Sequence, residues 1–326
     1  MLKPLTIGKL DFATNLIQAP LAGISCAPFR ELVWQFGAVA YCCTEMLSSQ
    51  HLASGIDRSP RYNVVSPKEG PLCWQLSGKD PDILAKASER AIALGADLLD
   101  LNCGCPQPKI RKKGCGTKLL TQEKQLASLV KAMQHDPNTP VTVKMRIDSG
   151  LGDFDEVSTA AMLEQSGVDA IIVHGRSWQD DYSIACNYES IANIVNTVSI
   201  PVIGNGDIED PSTLNKMFTE TACAGFMIAR ASVGQPWLFQ QLTQFEFVKP
   251  NLSEIGQLFL QHASGLIALD GEFNAMMQCR KLGKYYARGL IDSQSEFLEQ
   301  LYQVISYKQL ENLIRAFFNE VALGSR

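Results

Sequence analysis

The sequence predicts an α/β fold, a (β/α)8 TIM barrel over residues 1–240, followed by a smaller C-terminal all-helical domain over residues 241–326. Three observations carry this expectation. Short apolar runs alternate with helix-like stretches eight times in about 230 residues, which is the arithmetic of an eightfold barrel. The runs are rich in Val, Ile and Leu without polar alternation, as strands buried on both faces of a parallel sheet are. After Trp237-Leu238-Phe239 the strand signals stop. An open doubly wound sheet needs fewer units and is the weaker choice.

In chain order, strands are expected at Asn15–Ala19, Ala38–Cys43, Leu72–Leu76, Leu98–Asn102, Val141–Met145, Ala170–Val173, Val202–Ile203 and Gly225–Ile228. Amphipathic helices fall between them, as at Pro81–Leu94, Gln122–Gln134, Glu156–Ser166 and Ser212–Phe218. Pro250 marks the junction to the second domain, and Asn251-Leu-Ser253 ahead of an apolar run reads as a helix start. Helices are then expected at Ser253–Leu269, Phe273–Arg288, Glu296–Val304 and Lys308–Val321.

With 46% hydrophobic and 19% charged residues, the 326-residue chain has ample material for a core and is neither disordered nor collagenous. Its net charge of −5 speaks against a protein that coats nucleic acid, since such proteins usually carry a broad basic face. The ten cysteines form no CxxC pair, and the four histidines are scattered without zinc-site spacing, so no metal site is expected. Lys3, Lys9 and Asp11 interrupt any leader-like apolar stretch, and no run approaches the ~18 apolar residues of a membrane span. The expectation is a cytoplasmic protein with reduced thiols and no membrane partner, acting as a monomer.

Barrels place functional groups where each strand ends. Here those ends read Ala19-Pro-Leu-Ala-Gly23, Thr44-Glu-Met46, Gln75-Leu-Ser-Gly78, Asn102-Cys-Gly-Cys-Pro106, Lys144-Met-Arg146, His174-Gly-Arg176, Gly204-Asn-Gly-Asp207 and Ala229-Arg230. A purely structural barrel has no need of polar or reactive groups at nearly every strand end, so the chain reads as an enzyme. The seventh and eighth ends suit a phosphate, because glycine lets backbone N–H groups approach and Arg230 adds charge. Lys144, ending a buried strand, must face an anion or a group that becomes one; Schiff-base chemistry and charge stabilisation of a reduced flavin are both open. Gln75 offers donor and acceptor together, as the amide edge of a flavin or pyrimidine requires, although a merely buried glutamine reads the same way.

Cys105 sits between Gly104 and Pro106, in a loop that presents a thiol rather than packing it. No base stands beside it in sequence to make it a nucleophile. A thiol with a pKa about 8.5 is mostly protonated at neutral pH and serves as a proton donor without help. Basic residues cluster twice. Lys109, Arg111, Lys112, Lys113 and Lys118 lie in a stretch with no acid, expected as a mobile loop over the barrel mouth. Arg280, Lys281, Lys284 and Arg288 follow at helical spacing, with Tyr285 and Tyr286 among them, as a surface that grips phosphates and stacks a base would have. A solvated helix face is the ordinary alternative.

Taken together, these strand ends resemble the bacterial tRNA-dihydrouridine synthases, most nearly the B-type subgroup. The match runs through Ala19-Pro-Leu-Ala-Gly23 with Pro28-Phe-Arg30, Thr44-Glu-Met46, Gln75-Leu-Ser-Gly78 with Asp80-Pro81, and Asp100-Leu-Asn-Cys-Gly-Cys-Pro106. It continues through Lys144-Met-Arg146, His174-Gly-Arg176, Pro201-Val-Ile-Gly-Asn-Gly-Asp207 and Met227-Ile-Ala-Arg230 with Pro236-Trp237. Each motif alone is common; their joint order is specific. The resemblance implies an FMN enzyme that reduces the C5=C6 bond of uridine in tRNA, with NADPH reloading the flavin. It implies Cys105 as the acid that protonates C5, and Gln75 and Lys144 at the flavin ring. Pro20, Ala22, His174, Asn205, Gly206, Asp207, Ala229 and Arg230 complete the cofactor set. Asn102 and Arg176 are expected near the substrate, and Lys109, Arg280, Lys281, Lys284 and Arg288 on tRNA, because a uridine extruded from folded tRNA needs a basic docking surface.

The chain departs from the B-type pattern after Ala22-Gly23-Ile24, where Thr-Asp is usual and Ser25-Cys26-Ala27 stands here, and at Ala229, where glycine is usual. Cys103 is a second thiol in the same motif. Two other classes remain: an FMN barrel acting on a free pyrimidine, as dihydroorotate dehydrogenases do, and a tRNA-binding protein with a vestigial barrel. The first leaves the C-terminal basic helix unexplained, and the second leaves Cys105, Lys144 and Gln75 unexplained.

Overall fold

In the computed structural model, which describes residues 2–324 apart from 56–59, 151, 153, 245 and 291, eight parallel strands close on themselves. Chain order gives an N-terminal hairpin β1 (Leu5–Ile7) and β2 (Leu10–Phe12), then β3 (Leu16–Gln18), β4 (Tyr41–Cys43), a two-residue β5 (Leu47–Ser48), β6 (Leu72–Ser77) and β7 (Leu98–Cys103). β8 (Val141–Arg146), β9 (Ala170–His174), β10 (Val202–Asn205) and β11 (Gly225–Ile228) follow. The ring runs β3-β4-β6-β7-β8-β9-β10-β11 and returns to β3, with β5 appended to β6. β3 is shorter than expected by a residue at each end, and β4 starts later than expected because the chain turns at Gly37 and Ala38, both at positive φ, before it begins.

The hairpin was not expected from sequence. Leu5, Ile7 and Phe12 join Ile17, Tyr41, Leu98, Ile172 and Met227 in the barrel interior, so the hairpin plugs its N-terminal end. A second apolar layer lies between strands and helices, and it continues without a break into the C-terminal helices through Phe259, Leu266, Phe297 and Phe318. Helix starts are set locally: Asp80, Asp155, Asn187 and Asp210 each accept a backbone N–H of the first turn. Asn251 does the same for the helix Leu252–Asp270, and Glu254 closes a reciprocal capping box.

The C-terminal region is helical at Leu252–Asp270, Glu272–Tyr286, Gln294–Gln303 and Tyr307–Gly324. Its second helix ends at Tyr286, and Ala287–Gly289 forms a 3₁₀ turn. Arg288 therefore leaves the stripe that the spacing implied. Tyr286 is buried, its ring stacked 4.4 Å from Phe259 and its hydroxyl 3.0 Å from His262 Nδ1. It is a packing residue, unavailable to stack a base. Among the described residues no helix is long and apolar enough to cross a membrane.

The seam between barrel and helices is close. A Cβ at Gly234 (φ +72°) would lie 2.6 Å from the carbonyl carbon of Tyr285, so only glycine lets the chain after β11 approach that helix end. Arg288 donates to the carbonyls of Arg230 and Ala231 at 3.4 Å. Arg61 donates from Nε to Glu45 (2.7 Å) and from Nη1 to Asp270 and Gln278 (both 2.7 Å), tying the chain after β5 to the first two C-terminal helices.

Candidate active site

The C-terminal strand ends open into a cavity of about 370 Å³. Parallel register brings the functional side chains together there: Asn102 lies opposite Lys144, His174 opposite both Arg146 and Asn205, and Asn205 opposite Met227. Of the residues singled out in sequence, Pro20, Ala22, Gln75, Asn102, Cys105, Lys144, His174, Arg176, Asn205, Gly206, Asp207, Ala229 and Arg230 all line it. Lys109 does not. It is exposed on the short helix Pro108–Arg111, whose Arg111 lies 3.4 Å over the Trp178 ring.

On one wall, Lys144 Nζ donates to Asn205 Oδ1 at 2.8 Å, and Asn205 Nδ2 donates to the Met227 carbonyl at 2.8 Å. Burial, and then the neighbouring Arg146, lower the Lys144 pKa to about 8. The opposite wall is a chain of side-chain amides. Asn102 Nδ2 donates to Gln75 Oε1 (2.7 Å), and Asn102 Oδ1 accepts the Cys105 backbone N–H (3.0 Å). That bond holds the thiol loop against the strand end. Cys105 is partly exposed to the cavity, whereas Cys103 is wholly buried in the layer between barrel and helices. Its thiol pKa is pushed far up by that burial. Of the motif's two thiols, Cys105 alone lines the cavity.

The third wall carries charge. Arg176 is almost fully buried, bridges to Asp207 at 2.7 Å and donates to the Ile184 carbonyl at 2.5 Å. Its Nη1 is buried and has no acceptor among the described residues. Arg146, singled out only as part of a motif, donates to the Gly104 carbonyl at 2.9 Å and to that of Ser177 at 2.6 Å, bracing the Cys105 loop from the far side. Asp207 takes φ +52°, a left-handed conformation fixed by its bonds to Arg176 and to the Cys186 N–H (3.1 Å). At Gly206 a Cβ would meet Cys186 Sγ at 2.7 Å. Ala229 has φ −112°, so its methyl carries no left-handed penalty where glycine is usual. The Tyr182 ring covers Arg230 at 3.5 Å, an aromatic contact that strand-end reading had no means of finding. His174 is buried among Lys144, Arg146, Arg176 and Arg230, and its pKa falls so far that the ring is neutral at physiological pH.

Next to this cavity lies a groove of about 740 Å³ between the β3 loop and the C-terminal helices, lined by Ala22, Arg280, Lys281, Lys284, Tyr285 and Tyr302 among others. Ala22 lines both spaces. Lys281 and Lys284 are exposed on it, while Arg280 is tethered to the Val304 carbonyl at 2.8 Å. Arg288 is instead committed to the barrel carbonyls described above.

The profile of the dihydrouridine synthase family matches residues 17–322. The chain belongs to the dihydrouridine synthase family. Curated relatives agree: tRNA-dihydrouridine synthase B of Pseudomonas aeruginosa is 32% identical over 319 residues, covering 96% of each chain. The B-type enzyme of Vibrio cholerae is 31% identical over 321 residues, 97% of this chain and 99% of that one. Probable tRNA-dihydrouridine synthase 1 of Synechocystis is 31% identical over 96% of this chain and 88% of its own. Among solved structures, histamine dehydrogenase from Rhizobium sp. 4-9 superposes with a TM-score of 0.58 at 13% identity over 86% of this chain. This chain spans half of that protein's length, and the likeness is one of barrel fold. In this dihydrouridine synthase the divergent Ser25 turns inward: its Oγ accepts the Leu21 N–H at 2.9 Å, within the loop that carries Pro20 and Ala22. Ser25 thus serves the loop's own geometry.

Proposed function

We propose that this protein reduces the C5=C6 bond of specific uridines in tRNA to 5,6-dihydrouridine, with FMN as cofactor and NADPH as reductant. The observation that carries the reading is the placement of a partly exposed thiol, Cys105, in a cationic cavity that adjoins a basic groove on the helical region. The donor set fits a flavin mononucleotide. Lys144 and Gln75 offer charge and amide edges to the ring. Gly206, Ala229, Arg230 and neutral His174 offer N–H groups and a guanidinium to the phosphate, and the acceptor-less Nη1 of Arg176 suits an oxygen of cofactor or substrate. When bound and reduced, FMN supplies the hydride taken up at C6.

The chain's own groups do the rest. Asn102, braced between Gln75 and Cys105, orients the uracil edge. Cys105 Sγ gives its proton to C5 as charge develops there and on the C4 carbonyl. Lys281 and Lys284 receive tRNA phosphates, with Lys109 a further contact at the mouth and Arg280 and Arg288 supporting the seam. The division into a catalytic barrel to residue 240 and a tRNA-binding region beyond it, a monomeric state and a cytoplasmic location belong to the same proposal. A free pyrimidine would leave the groove and its lysines without a task. The deciding experiment supplies the purified protein with NADPH and unmodified tRNA and measures dihydrouridine by mass spectrometry of the digested RNA. Formation on tRNA and not on free uracil is expected; turnover of the free base alone would overturn the proposal.

A further inference from the structure

Asp100 lies beneath the cavity, fully within the barrel, and does not line it. Its Oδ2 accepts Gln75 Nε2 at 2.8 Å and its Oδ1 accepts the Thr142 hydroxyl at 2.7 Å. From there the bonds run outward with one polarity. Gln75 spends its donor on Asp100 and presents its oxygen to Asn102, and Asn102 spends its donor on Gln75 and presents its oxygen to the Cys105 N–H. An amide can face either way; a carboxylate can only accept.

We propose that Asp100 is a positioning residue for the thiol loop: the acceptor-only group at the root of the chain sets the hand of both amides, so that an acceptor meets the Cys105 backbone N–H. A neutral asparagine could engage the same two side chains without burying a charge, its oxygen accepting from one and its NH₂ donating to the oxygen of the other, and a buried charge is costly. What the carboxylate adds is direction. With asparagine at position 100 two settings satisfy residue 100 and Gln75 equally, but in one of them Asn102 turns its NH₂ toward the Cys105 N–H, donor against donor. The proposal rests on Cys105 being the reactive thiol of the proposed function, but its test needs no turnover, so the two readings fail separately.

The test is the rate of iodoacetamide alkylation at Cys105, read by peptide mass spectrometry in the purified protein, with the half-buried Cys186 as internal reference. Asp100→Asn should speed Cys105 alkylation about threefold to tenfold, the population change that losing one hydrogen bond carries, and leave Cys186 unchanged. The discriminating variant moves the carboxylate along the chain. In the double variant Asp100→Asn with Asn102→Asp, Gln75 reverses, residue 102 accepts from both Gln75 and Cys105, and every donor again has one acceptor. Asn102→Asp alone sets two carboxylates against Gln75 and should be worse than either. The double variant should return to within about twofold of wild type, a reciprocal rescue that independent structural damage does not produce. An unchanged rate in Asp100→Asn, or a double variant as fast as Asp100→Asn, overturns the proposal. Thermal melting gives the same ranking if a single variant folds poorly, and a double variant less stable than both singles would also overturn it.

Discussion

Replacing Cys105 by alanine isolates one atom's contribution. The backbone N–H that Asn102 Oδ1 holds at 3.0 Å is retained by alanine, and Arg146 still braces the Gly104 carbonyl, so the loop keeps both anchors while the Sγ proton is lost. A positioned general acid contributes about 10²–10⁴ in rate. The lower part of that range applies here, because Lys144 lines the same cavity and, with its pKa lowered to about 8, is itself a competent proton donor at neutral pH. The expected loss is therefore about 10²–10³ in dihydrouridine formation, or roughly 3–4 kcal/mol of barrel-held transition-state stabilisation. Two assays are run on one preparation: NADPH oxidation by oxygen, which needs no proton at carbon, and dihydrouridine in tRNA by mass spectrometry. The first should stay near wild type and the second should fall. Cys103→Ala is the matched control, buried outside the cavity, and should not affect either beyond its cost in stability. Dihydrouridine formation by Cys105→Ala within threefold of wild type would refute the assignment of the proton to this thiol.

Three further outcomes follow from named contacts. Arg61→Met leaves Glu45 and Asp270, both largely buried, without their cation; a stability loss of about 3–5 kcal/mol is expected in urea unfolding, and a loss under 1 kcal/mol would mean that the cluster is wetter than its geometry. Lys281→Glu with Lys284→Glu should weaken tRNA binding and reduce the slope of log affinity against log salt by about 1–2, with the flavin absorbance unaltered. Unchanged affinity would remove tRNA from this groove. Burial raises the Asp100 pKa from 3.8 to about 6, so the fold holds a proton that the unfolded chain has released. Its contribution to stability is fully present below pH 4 and is lost as pH rises through 6, by at most about 3 kcal/mol. Urea midpoints of the cofactor-free protein across that window should show a decline that Asp100→Asn flattens.

Much of this architecture was legible because its signals are local. Short β-branched runs such as Ala170–Val173, set between helix-like stretches, read as strands buried on both faces, and the strand-end polar residues converge because a barrel has one C-terminal rim. The hairpin Leu5–Phe12 was not legible. Its strands are three residues long, and what they cover is a barrel end that exists only after closure. Arg288 shows the limit of periodicity: a spacing of four places it beside Lys284 on an ideal helix, but Gly234 allows the post-β11 chain to press on Tyr285, the helix stops at Tyr286, and the guanidinium turns to the barrel. Tyr286 reads as an interfacial aromatic and is consumed by Phe259. The role of Asp100 is invisible in sequence because it depends on which neighbour each amide faces.

Charge placement follows the same division between average and arrangement. Residues 241–326 hold 8 Lys+Arg and 9 Asp+Glu, a sum of −1, so no composition window marks this region as basic. Three of the acids are engaged by other groups: Asp270 in the Arg61 cluster, Glu254 in a helix cap, Glu272 on the Tyr307 N–H. Lys281 and Lys284 are left facing the groove. A mildly acidic protein can then hold a polyanion at one seam while repelling it elsewhere, which favours a single docked orientation over sliding contact. The seam is where orientation matters most, since Arg288 and the backbone contact at Gly234 join the helix that carries Lys284 directly to the turn that carries Arg230. On the proposed reading, the groups that would hold tRNA and those that would hold the cofactor phosphate share one rigid joint, and the distance from docked phosphate to reacting base is set by backbone packing rather than by flexible side chains.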